Sequence, residues 1–330
     1  MCQKNYNSHK SGRLISEFLH FTKKITTFVG SLSPCGAIIQ YSMAEIKIAG
    51  IMRAGAFSPN HIGNDAAIFN LVAEQLRKRG CEINIYSEEQ FGSIDIKERV
   101  ILDMCREESS YERLQRLEDQ GVLVINSGYG IENCTRERMS RILIGSGVSY
   151  PESLIVDTDE KVKDRLTRAG FTGCWIKRGD GHTKHREDVT FARHPQEAQE
   201  TLQEFFLRGI KRAVINRHLE GDLVKFYSVV GTPFFYWFYP FDVGHSKYGA
   251  EKVNGLSQHL DFDLDALKRM CAKAADVLDV KIYGGDCIVE SDGTITIIDF
   301  NDWPSFAPCR TEAAPVIARM VINEIKSRQK

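Results

Sequence analysis

Three oxygen-bearing side chains near the C-terminal end of the chain have the types and spacing of a metal site. Residues 287–300 predict a β-hairpin around an Asp-Gly turn, with Asp286 at its start and Asp299 and Asn301 at its end. Asp299 and Asn301 are two positions apart and share a strand face, and the fold-back of the hairpin brings Asp286 beside them. Such oxygen ligands suit Mg²⁺, which keeps its other positions for water and phosphate oxygens. An aspartate at a strand end is also common as a capping or loop residue, and the hairpin alone leaves that alternative open.

The composition is that of a globular protein without a strong overall charge. The 330 residues are 42% apolar and carry a net charge of −1. These values predict two or three domains and give no general attraction to nucleic acid or to an anionic membrane. Nine cysteines without a C-x-x-C pair favour a reducing compartment over a disulfide framework. We therefore expect a cytoplasmic protein with no nucleic acid or membrane partner, and we leave self-association as a homo-oligomer open.

Residues 1–43 differ from the rest of the chain. They contain five Lys or Arg against one acidic residue, and Met43 directly precedes an apolar segment typical of the first strand of an α/β domain. We interpret residues 1–43 as an N-terminal extension outside the core, with translation beginning at Met43. A targeting peptide is the alternative, because basic, acid-poor leaders have this composition.

The elements that follow alternate between strands and helices. Continuous apolar runs predict buried strands, and apolar residues at helical spacing predict the helices between them. The predicted strands cover residues 46–52, 81–86, 100–105 and 122–126, and the helices cover residues 67–80 and 111–120. This alternation indicates an α/β domain with a doubly wound parallel sheet, which we place at residues 44–133.

The remaining residues, 134–330, predict an α+β domain that ends in the hairpin. A basic helix at residues 132–147 leads into a smaller unit at about residues 150–216. The predicted strands here are 152–156, 173–177, 213–216, 224–230 and 234–239, and the helices are 195–207 and 264–278.

The order of these elements and the C-terminal motif resemble the ATP-grasp superfamily from residue 46 to the end, most strongly in residues 280–304. Asp286, followed by Asp299-x-Asn301 and then by Pro304, corresponds to that family's metal-binding pattern. The resemblance implies a parallel-sheet domain followed by two α+β subdomains that clamp ATP. It also implies Mg²⁺, or Mn²⁺ as an alternative, on Asp286, Asp299 and Asn301. Neither a Walker A sequence nor a dinucleotide fingerprint occurs in the chain.

Lys177 and the loop after it resemble the family's strand lysine and glycine-containing flap. The resemblance implies that Lys177 binds the ATP phosphates and that the loop around Gly181 closes over them with its backbone N–H groups. Residues 182–186 depart from the family because they are basic rather than rich in glycine and serine. Two interpretations of these basic side chains stay open, contact with phosphate or an anionic substrate and a solvated loop. For Lys177 the alternative is a solvated lysine.

Arg138 corresponds to a family lysine that reaches ATP from the helix before the small subdomain. Arginine keeps the positive charge and adds bidentate geometry, but it does not make the compact contact of a lysine. An arginine on the solvent-facing side of the helix is the alternative.

Residues 216–222 correspond to the hinge between the two subdomains. The resemblance implies that backbone groups of this segment contact adenine and that Glu220 or Asp222 holds the ribose hydroxyls. The implied nucleotide contacts are Asn216, Arg217, His218, Leu219, Glu220 and Asp222. A charged turn is the alternative, because relatives usually carry an acid where Arg217 stands.

Lys252 and Asn254 resemble the Arg-x-Asn element that stabilises transferred phosphate in the family's ligases. Lys225, on the strand predicted at residues 224–230, is the third candidate for catalysis. A cation at such positions stabilises the charge that spreads over the leaving γ-phosphoryl group. Lysine in place of arginine weakens the match, and a solvated charged loop is the alternative at 252–254.

The resemblance is closest to the ligases that add amino acids to peptide carboxylates, such as ribosomal-protein glutamate ligases, and to glutathione synthetases. It implies an ATP-dependent ligase that joins a carboxylate to an amine through an acylphosphate. The partners would be ATP and an unidentified carboxylate and amine, for which amino acids and peptides are candidates. A kinase acting on a small anionic substrate and a non-catalytic nucleotide-binding module are the alternatives.

Overall fold

The computed structural model describes residues 46–57, 62–182, 185–240, 242 and 253–328. The predicted extension at residues 1–43 and the candidate residue Lys252 lie outside these ranges. Within them the chain forms three four-stranded sheets with helices packed against them. No helix among the described residues has the length and apolar character needed to cross a membrane.

The N-terminal part forms a parallel sheet with the strand order β2-β1-β3-β4. Its elements are β1 (Lys47–Met52), α1 (Ile62–Arg77), β2 (Glu82–Ser87), α2 (Glu88–Phe91), β3 (Val100–Asp103), α3 (Glu108–Asp119) and β4 (Leu123–Ile125). The strands β1, β3 and β4 are short and mostly apolar and buried, as expected where helices cover a parallel sheet, whereas the edge strand β2 is more polar. The predicted α/β class and parallel sheet are thus confirmed.

Two short helices, rather than one, join this sheet to the next part. They are α4 (Gly128–Asn133) and α5 (Arg136–Gly145). The prediction of a single helix at 132–147 was wrong because Thr135 has an extended backbone and serves as the N-cap of α5.

A small antiparallel sheet follows, with the strand order β5-β8-β6-β7. Its elements are β5 (Ser153–Asp157), α6 (Lys163–Arg168), β6 (Cys174–Arg178), β7 (Val189–Ala192), α7 (Pro195–Leu207) and β8 (Arg212–Arg217). Apolar side chains of α6 and α7, including Leu166 and Leu202, form a separate core with this sheet. This small subdomain therefore has its own hydrophobic centre.

The second antiparallel sheet has the order β10-β9-β11-β12 and carries the predicted metal ligands. Its elements are β9 (Asp222–Val229), β10 (Phe235–Phe238), α8 (Leu264–Leu278), β11 (Ile282–Val289), β12 (Ile295–Asp302) and the C-terminal helix α9 (Arg310–Arg328). The first hairpin strand begins at Ile282, so Asp286 lies within β11 and not at its start. The sequence signal misses this extension because Gly284 and Gly285 weaken a strand pattern.

One apolar cluster joins the parallel sheet to the second antiparallel sheet. It contains Ile48 and Phe69 from the N-terminal part, Tyr227 from β9, and Trp303 and Val321 from the C-terminal end. Trp303 is fully buried, and its ring centroid lies 5.7 Å from that of Phe69. This shared packing fixes the loops after β1 and β3 relative to the end of β12.

Candidate active site

A cavity of about 230 Å³ lies among the three sheets. One wall comes from the small antiparallel sheet, the opposite wall from β9, β11 and β12, and one end from the segments that follow β1 and β3. Concave sites lined by apolar groups and a few converging polar groups are typical of small-molecule binding. This cavity is the candidate active site.

A row of charged side chains crosses three neighbouring strands on one wall. Asp286 in β11 lies opposite Lys225 in β9 on one side and opposite Asp299 in β12 on the other. Directly opposed residues of antiparallel strands point to the same face. Asn301, two residues beyond Asp299, donates from Nδ2 to Asp299 Oδ2 at 3.2 Å. The three predicted metal ligands therefore lie together on this wall.

Glycines beside these carboxylates allow the strands to pack closely. A Cβ on Gly285 would lie 2.3 Å from the carbonyl oxygen of Asp299, and one on Gly284 would lie 2.5 Å from the ring of Tyr227. Real Cβ atoms do not approach backbone oxygen so closely. Glycine is thus required here for the position of β12.

Each carboxylate of the row has a cationic partner. Lys225 Nζ lies 3.1 Å from both oxygens of Asp286, and Arg136 pairs with Asp299. Burial raises the pKa of Asp299, but the charges of Arg136 and Lys177 outweigh it and hold this pKa below its usual range. Asp299 is therefore ionised at neutral pH.

Lys177 faces this row from the small subdomain. Its side chain is buried, and Nζ donates to the carbonyl oxygen of Ile298 at 2.8 Å. Ile298 is skipped in the pairing of β11 with β12, as in a β-bulge, so its carbonyl is available to Lys177. Burial, reinforced by the charge of Arg136, lowers the pKa of Lys177 to about 8.

The donor atoms of the row fit a hard divalent cation. Asp286 and Asp299 supply carboxylate oxygens and Asn301 an amide oxygen, which is the ligand chemistry that Mg²⁺ prefers. Among the described residues no group of three or more His, Cys, Asp or Glu is placed to hold a metal. A metal here would thus have two carboxylate ligands and would take its other ligands from water or from a bound phosphate.

From helix α5, Arg136 rather than Arg138 reaches the cavity. Arg136 lines the cavity beside Asp299, whereas the side chain of Arg138 is 51% exposed and pairs with Glu132 at 2.8 Å. Residues two positions apart on a helix are rotated by about 200° around its axis. The side chains of Arg136 and Arg138 therefore leave α5 on opposite sides. The structure does not bring Arg138 to the site.

The predicted hinge residues are divided between the cavity and its surroundings. Asn216, Arg217, His218 and Leu219 line the cavity, whereas Glu220 is exposed and outside it. Trp175 donates from its indole nitrogen to Nδ1 of His218 at 3.2 Å. Trp175 and His218 therefore lie beside the hinge segment, which was predicted to contact adenine.

The side chains of Arg217 and Asp222 in the hinge segment make their contacts with other parts of the protein. Arg217 binds Glu152 at 2.5 Å and lies over the ring of Phe171 at 4.4 Å. Asp222 is buried and accepts backbone N–H bonds from Gln258 at 2.6 Å and Leu260 at 2.8 Å. Asp222 anchors the segment before α8 and does not line the cavity.

The remaining predicted residues are partly accounted for. Gly181 and Asn254 line the cavity, and Asn254 donates from Nδ2 to the carbonyl oxygen of Leu219 at 2.9 Å. That bond ties the segment around Asn254 to the hinge. Lys252 lies outside the described residues.

Several cavity residues are not among the predicted site residues, although Arg136 and His182 lie in segments that the sequence analysis selected. The most polar of them are Arg53, Asp65, Arg106, Arg136 and His182. A positional signal existed for two of them, because Arg53 follows β1 and Arg106 follows β3, and ligands of parallel sheets bind at the carboxyl ends of the strands. The N-terminal domain thus contributes directly to the site.

Solved structures share this arrangement over most of the chain. D-alanyl-alanine synthetase A from Vibrio cholerae O1 biovar eltor superposes with a TM-score of 0.65 at 10% identity, over 85% of this chain and 98% of that one. D-alanine–D-alanine ligase from Bacillus anthracis, in complex with ATP, gives a TM-score of 0.64 at 14% identity, over 86% of this chain and 100% of that one. The ATP-grasp RimK domain protein from Sphaerobacter thermophilus gives 0.61 at 14% identity, over 84% and 99% of the two chains.

No protein-family model and no curated protein matches the sequence significantly. At these identities the structural similarity concerns the fold. The superposition with the ATP-grasp RimK domain protein covers 99% of that chain, and the chain described here consists of one parallel and two antiparallel sheets. The chain therefore has the ATP-grasp fold.

Proposed function

We propose that the protein is an ATP- and magnesium-dependent ligase that joins a carboxylate to an amine through an acylphosphate. The single observation that carries the proposal is the convergence of Arg136, Lys177 and Lys225 on the paired carboxylates Asp286 and Asp299. Phosphoryl transfer needs positioned positive charge and oxygen ligands for a metal rather than a protein nucleophile.

In this proposal the chain binds ATP between the small subdomain and the wall formed by β9, β11 and β12. Lys177 and Arg136 contact the phosphates, and the adenine lies toward Trp175, His218 and the backbone of the hinge. A metal held by Asp286, Asp299 and Asn301 would neutralise phosphate charge during transfer.

The reaction proceeds in two displacements. A carboxylate oxygen of the first substrate attacks the γ-phosphorus, the bond to the β-phosphate oxygen breaks, and ADP leaves. The nitrogen of a neutral amine then attacks the acyl carbon, the bond to the phosphate oxygen breaks, and the amine loses one proton as inorganic phosphate leaves. Lys225 and Arg136 stabilise negative charge on the phosphoryl oxygens in both steps, because both are fixed by ion pairs before the reaction begins.

The proposal extends to the surroundings of the enzyme. All seven cysteines that the structure describes are buried and unpaired with one another, in keeping with the proposed reducing cytoplasm.

We keep residues 44–133 and 134–330 as the proposed domains, and Lys252 as a proposed contact to the transferred phosphate. Amino acids or peptides are the proposed substrates, in line with the D-alanine–D-alanine ligase found among similar structures.

The test is a screen for ADP release with pairs of candidate acids and amines, in parallel with hydroxylamine in place of the amine. Hydroxylamine traps an acylphosphate as a hydroxamate, so a ligase gives acid-dependent hydroxamate without any amine. A phosphate ester that accumulates and does not react with hydroxylamine would instead identify a kinase. ATP binding without turnover across the whole panel would identify a binding module.

A matched pair of variants links the activity to the cavity. Arg136→Met should lower the rate of ADP release by at least about 100-fold, since one positioned charge contributes about 3 kcal/mol to a transition state of this kind. Arg141→Met is the control, because Arg141 lies on the same helix and makes an exposed pair with Glu137. Equal rates in the two variants would contradict the assignment of Arg136.

A further inference from the structure

Helix α5 is part of the large core of the protein, and its first turn reaches the small subdomain. Met139 and Leu143 pack in the apolar cluster that also contains residues of α8, β9, β11 and β12. The apolar cluster of the small subdomain is separate, and all of its members lie within residues 154–215. Since the two clusters share no residue, the small subdomain is a body of its own. Such bodies move relative to one another unless other contacts hold them.

The two connections of the small subdomain lie side by side at one end of its sheet. The chain enters through Glu152, just before β5, and leaves after Arg217, the last residue of β8. Arg217 donates its backbone N–H to the carbonyl oxygen of Glu152 at 2.8 Å, and the two side chains form an ion pair at 2.5 Å. Because both connections lie at this end, it is the axis about which the small subdomain can turn.

An ion pair crosses to α5 at the opposite end of β8. Arg212 Nε donates to Glu137 Oε2 at 2.8 Å, and Nη2 donates to Oε1 at 3.1 Å, so the two groups make a bidentate contact. The backbone N–H of Glu137 also donates to the carbonyl oxygen of Gly179, just after β6, at 3.3 Å. The hydrogen bonds from Arg212 and Arg141 hold the pKa of Glu137 below its usual range. The carboxylate is therefore charged at neutral pH.

The position of this pair gives it leverage over the cavity. Arg212 and Arg217 are five positions apart in an extended strand, so the pair lies about 17 Å from the end that carries both connections. Between these ends the neighbouring strand β6 carries Trp175 and Lys177, which line the cavity. A contact far from an axis resists rotation more strongly than an equal contact close to it. The pair is thus placed to hold the small sheet over the cavity.

The other ion pairs of these two residues stay within one body. Arg141 reaches Glu137 from the next turn of α5 at 2.9 Å. Arg212 Nη1 donates to Oδ1 of Asp157, in the neighbouring strand β5, at 2.7 Å. Loss of Arg141 or of Asp157 would therefore leave the crossing pair in place.

We propose that Glu137 and Arg212 form a latch that holds the small subdomain over the cavity and thereby sets how fast a bound nucleotide leaves. The two residues act through the position of Trp175 and Lys177 and are positioning residues. This inference rests on the nucleotide binding in the proposed ligase function. It assigns a role to two residues outside the predicted ATP and metal contacts.

The first test measures how fast the nucleotide leaves. ADP labelled with a methylanthraniloyl group is displaced by excess ATP in a stopped-flow fluorimeter, in the presence of Mg²⁺. Arg212→Met and Glu137→Met should each raise the dissociation rate about fivefold, which corresponds to about 1 kcal/mol, the upper end for a partly exposed ion pair. The double variant should match the single variants, because the pair is lost only once. Arg141→Met and Asp157→Asn are the controls that should keep the wild-type rate.

The second test reports opening without any nucleotide. Cys134 lines the cavity and is 6% exposed, so its thiol should react with iodoacetamide mainly while the cavity is open. Its alkylation, followed by mass spectrometry of the peptide that contains it, should be about fivefold faster in both latch variants and unchanged in the two controls. Cys271, which is 0% exposed in the core beside α8, is the internal reference. Its rate should stay constant, because it reacts only when the protein unfolds.

The outcomes separate this inference from the function it rests on. If labelled ADP binds but neither rate differs between the latch variants and the controls, the latch is wrong and the ligase function is unaffected. A change in only one of the two rates would overturn the latch as well, because nucleotide release and access to Cys134 would then have different causes. If no nucleotide binds but alkylation of Cys134 still rises in both latch variants, the latch stands and the nucleotide function is wrong. No binding together with equal alkylation would overturn both.

Discussion

Glu88→Gln should destabilise the protein although it changes one atom and leaves the shape of the side chain intact. Glu88, at the start of α2, is 3% exposed. Its carboxylate accepts backbone N–H bonds of 2.6 to 2.8 Å from Ala54, which follows β1, and from Arg106 and Glu107, which follow β3. Glutamine has one acceptor oxygen and directs an NH₂ group at a backbone donor. A hydrogen bond to a charged group contributes about 1.5–3 kcal/mol, and an unsatisfied buried donor costs about 1–3 kcal/mol.

If the glutamine oxygen keeps the bonds to Arg106 and Glu107, the variant loses the bond to Ala54 and weakens the other two. The expected loss in the free energy of unfolding is therefore about 2–4 kcal/mol. Urea unfolding followed by circular dichroism measures this quantity, provided that the dependence on urea concentration is the same in both proteins.

Glu89→Gln is the matched control, because Glu89 is the exposed neighbour on the same helix. We expect a change within about 0.5 kcal/mol for this surface substitution. A loss below about 1 kcal/mol in Glu88→Gln would refute the view that Glu88 clamps the segments after β1 and β3.

Three further predictions concern the cavity wall. Asn301→Ala should abolish magnesium-dependent ADP release. It should change the free energy of unfolding by less than about 1 kcal/mol, because the Asn301 side chain bonds only to Asp299 among the described contacts. Retained turnover would exclude Asn301 as a metal ligand. Lys177 has a pKa of about 8 in the folded protein, against 10.5 for a lysine in an unfolded chain. The unfolded chain therefore binds more protons between these values, and stability should rise with pH across that window. Relative to Lys177→Met, the wild-type free energy of unfolding should increase by about 3 kcal/mol from pH 7 to pH 10.5, and parallel pH profiles would disprove the depressed pKa. Gly285→Ala should lower the free energy of unfolding, measured in urea, by more than about 2 kcal/mol, because its Cβ would meet a backbone oxygen. Gly145→Ala, whose Cβ would have nothing within 4 Å, should be neutral or stabilising. Equal effects of the two variants would show that β12 can shift.

Local patterns predicted most of the elements. The helix at residues 195–207 matches α7 and that at 264–278 matches α8, because their apolar residues recur at helical spacing and one face of each is buried. The helices α2, α4 and α6 and the strand β7 were missed because they are short and their periodicity gave little signal. Short elements of this kind depend on packing against neighbours rather than on their own pattern. The 19-residue helix α9 was missed as well, and it contains Pro315, a residue that normally interrupts a helical pattern.

The candidate site also has some features that follow from local sequence and others that follow only from tertiary packing. The spacing Asp299-x-Asn301 fixes a common strand face, and the hairpin brings Asp286 opposite Asp299 by its own register. The choice between Arg136 and Arg138 is different, since the sequence places both on one helix and only the packing of α5 decides which one faces the cavity.

The sequence by itself determined the order of the elements, the hairpin and the chemical types of its side chains, because these follow from residues near one another in the chain. Tertiary structure alone decided that Lys177 faces the carboxylates from another sheet, and that Arg106 and His182 both line the cavity although they lie far apart in the chain. Those contacts join residues that are far apart in the chain, and no local pattern specifies the relative placement of sheets. That placement is set by the core in which Trp303 packs against Phe69, and by the hydrogen bond from Arg53 to the carbonyl oxygen of Trp303.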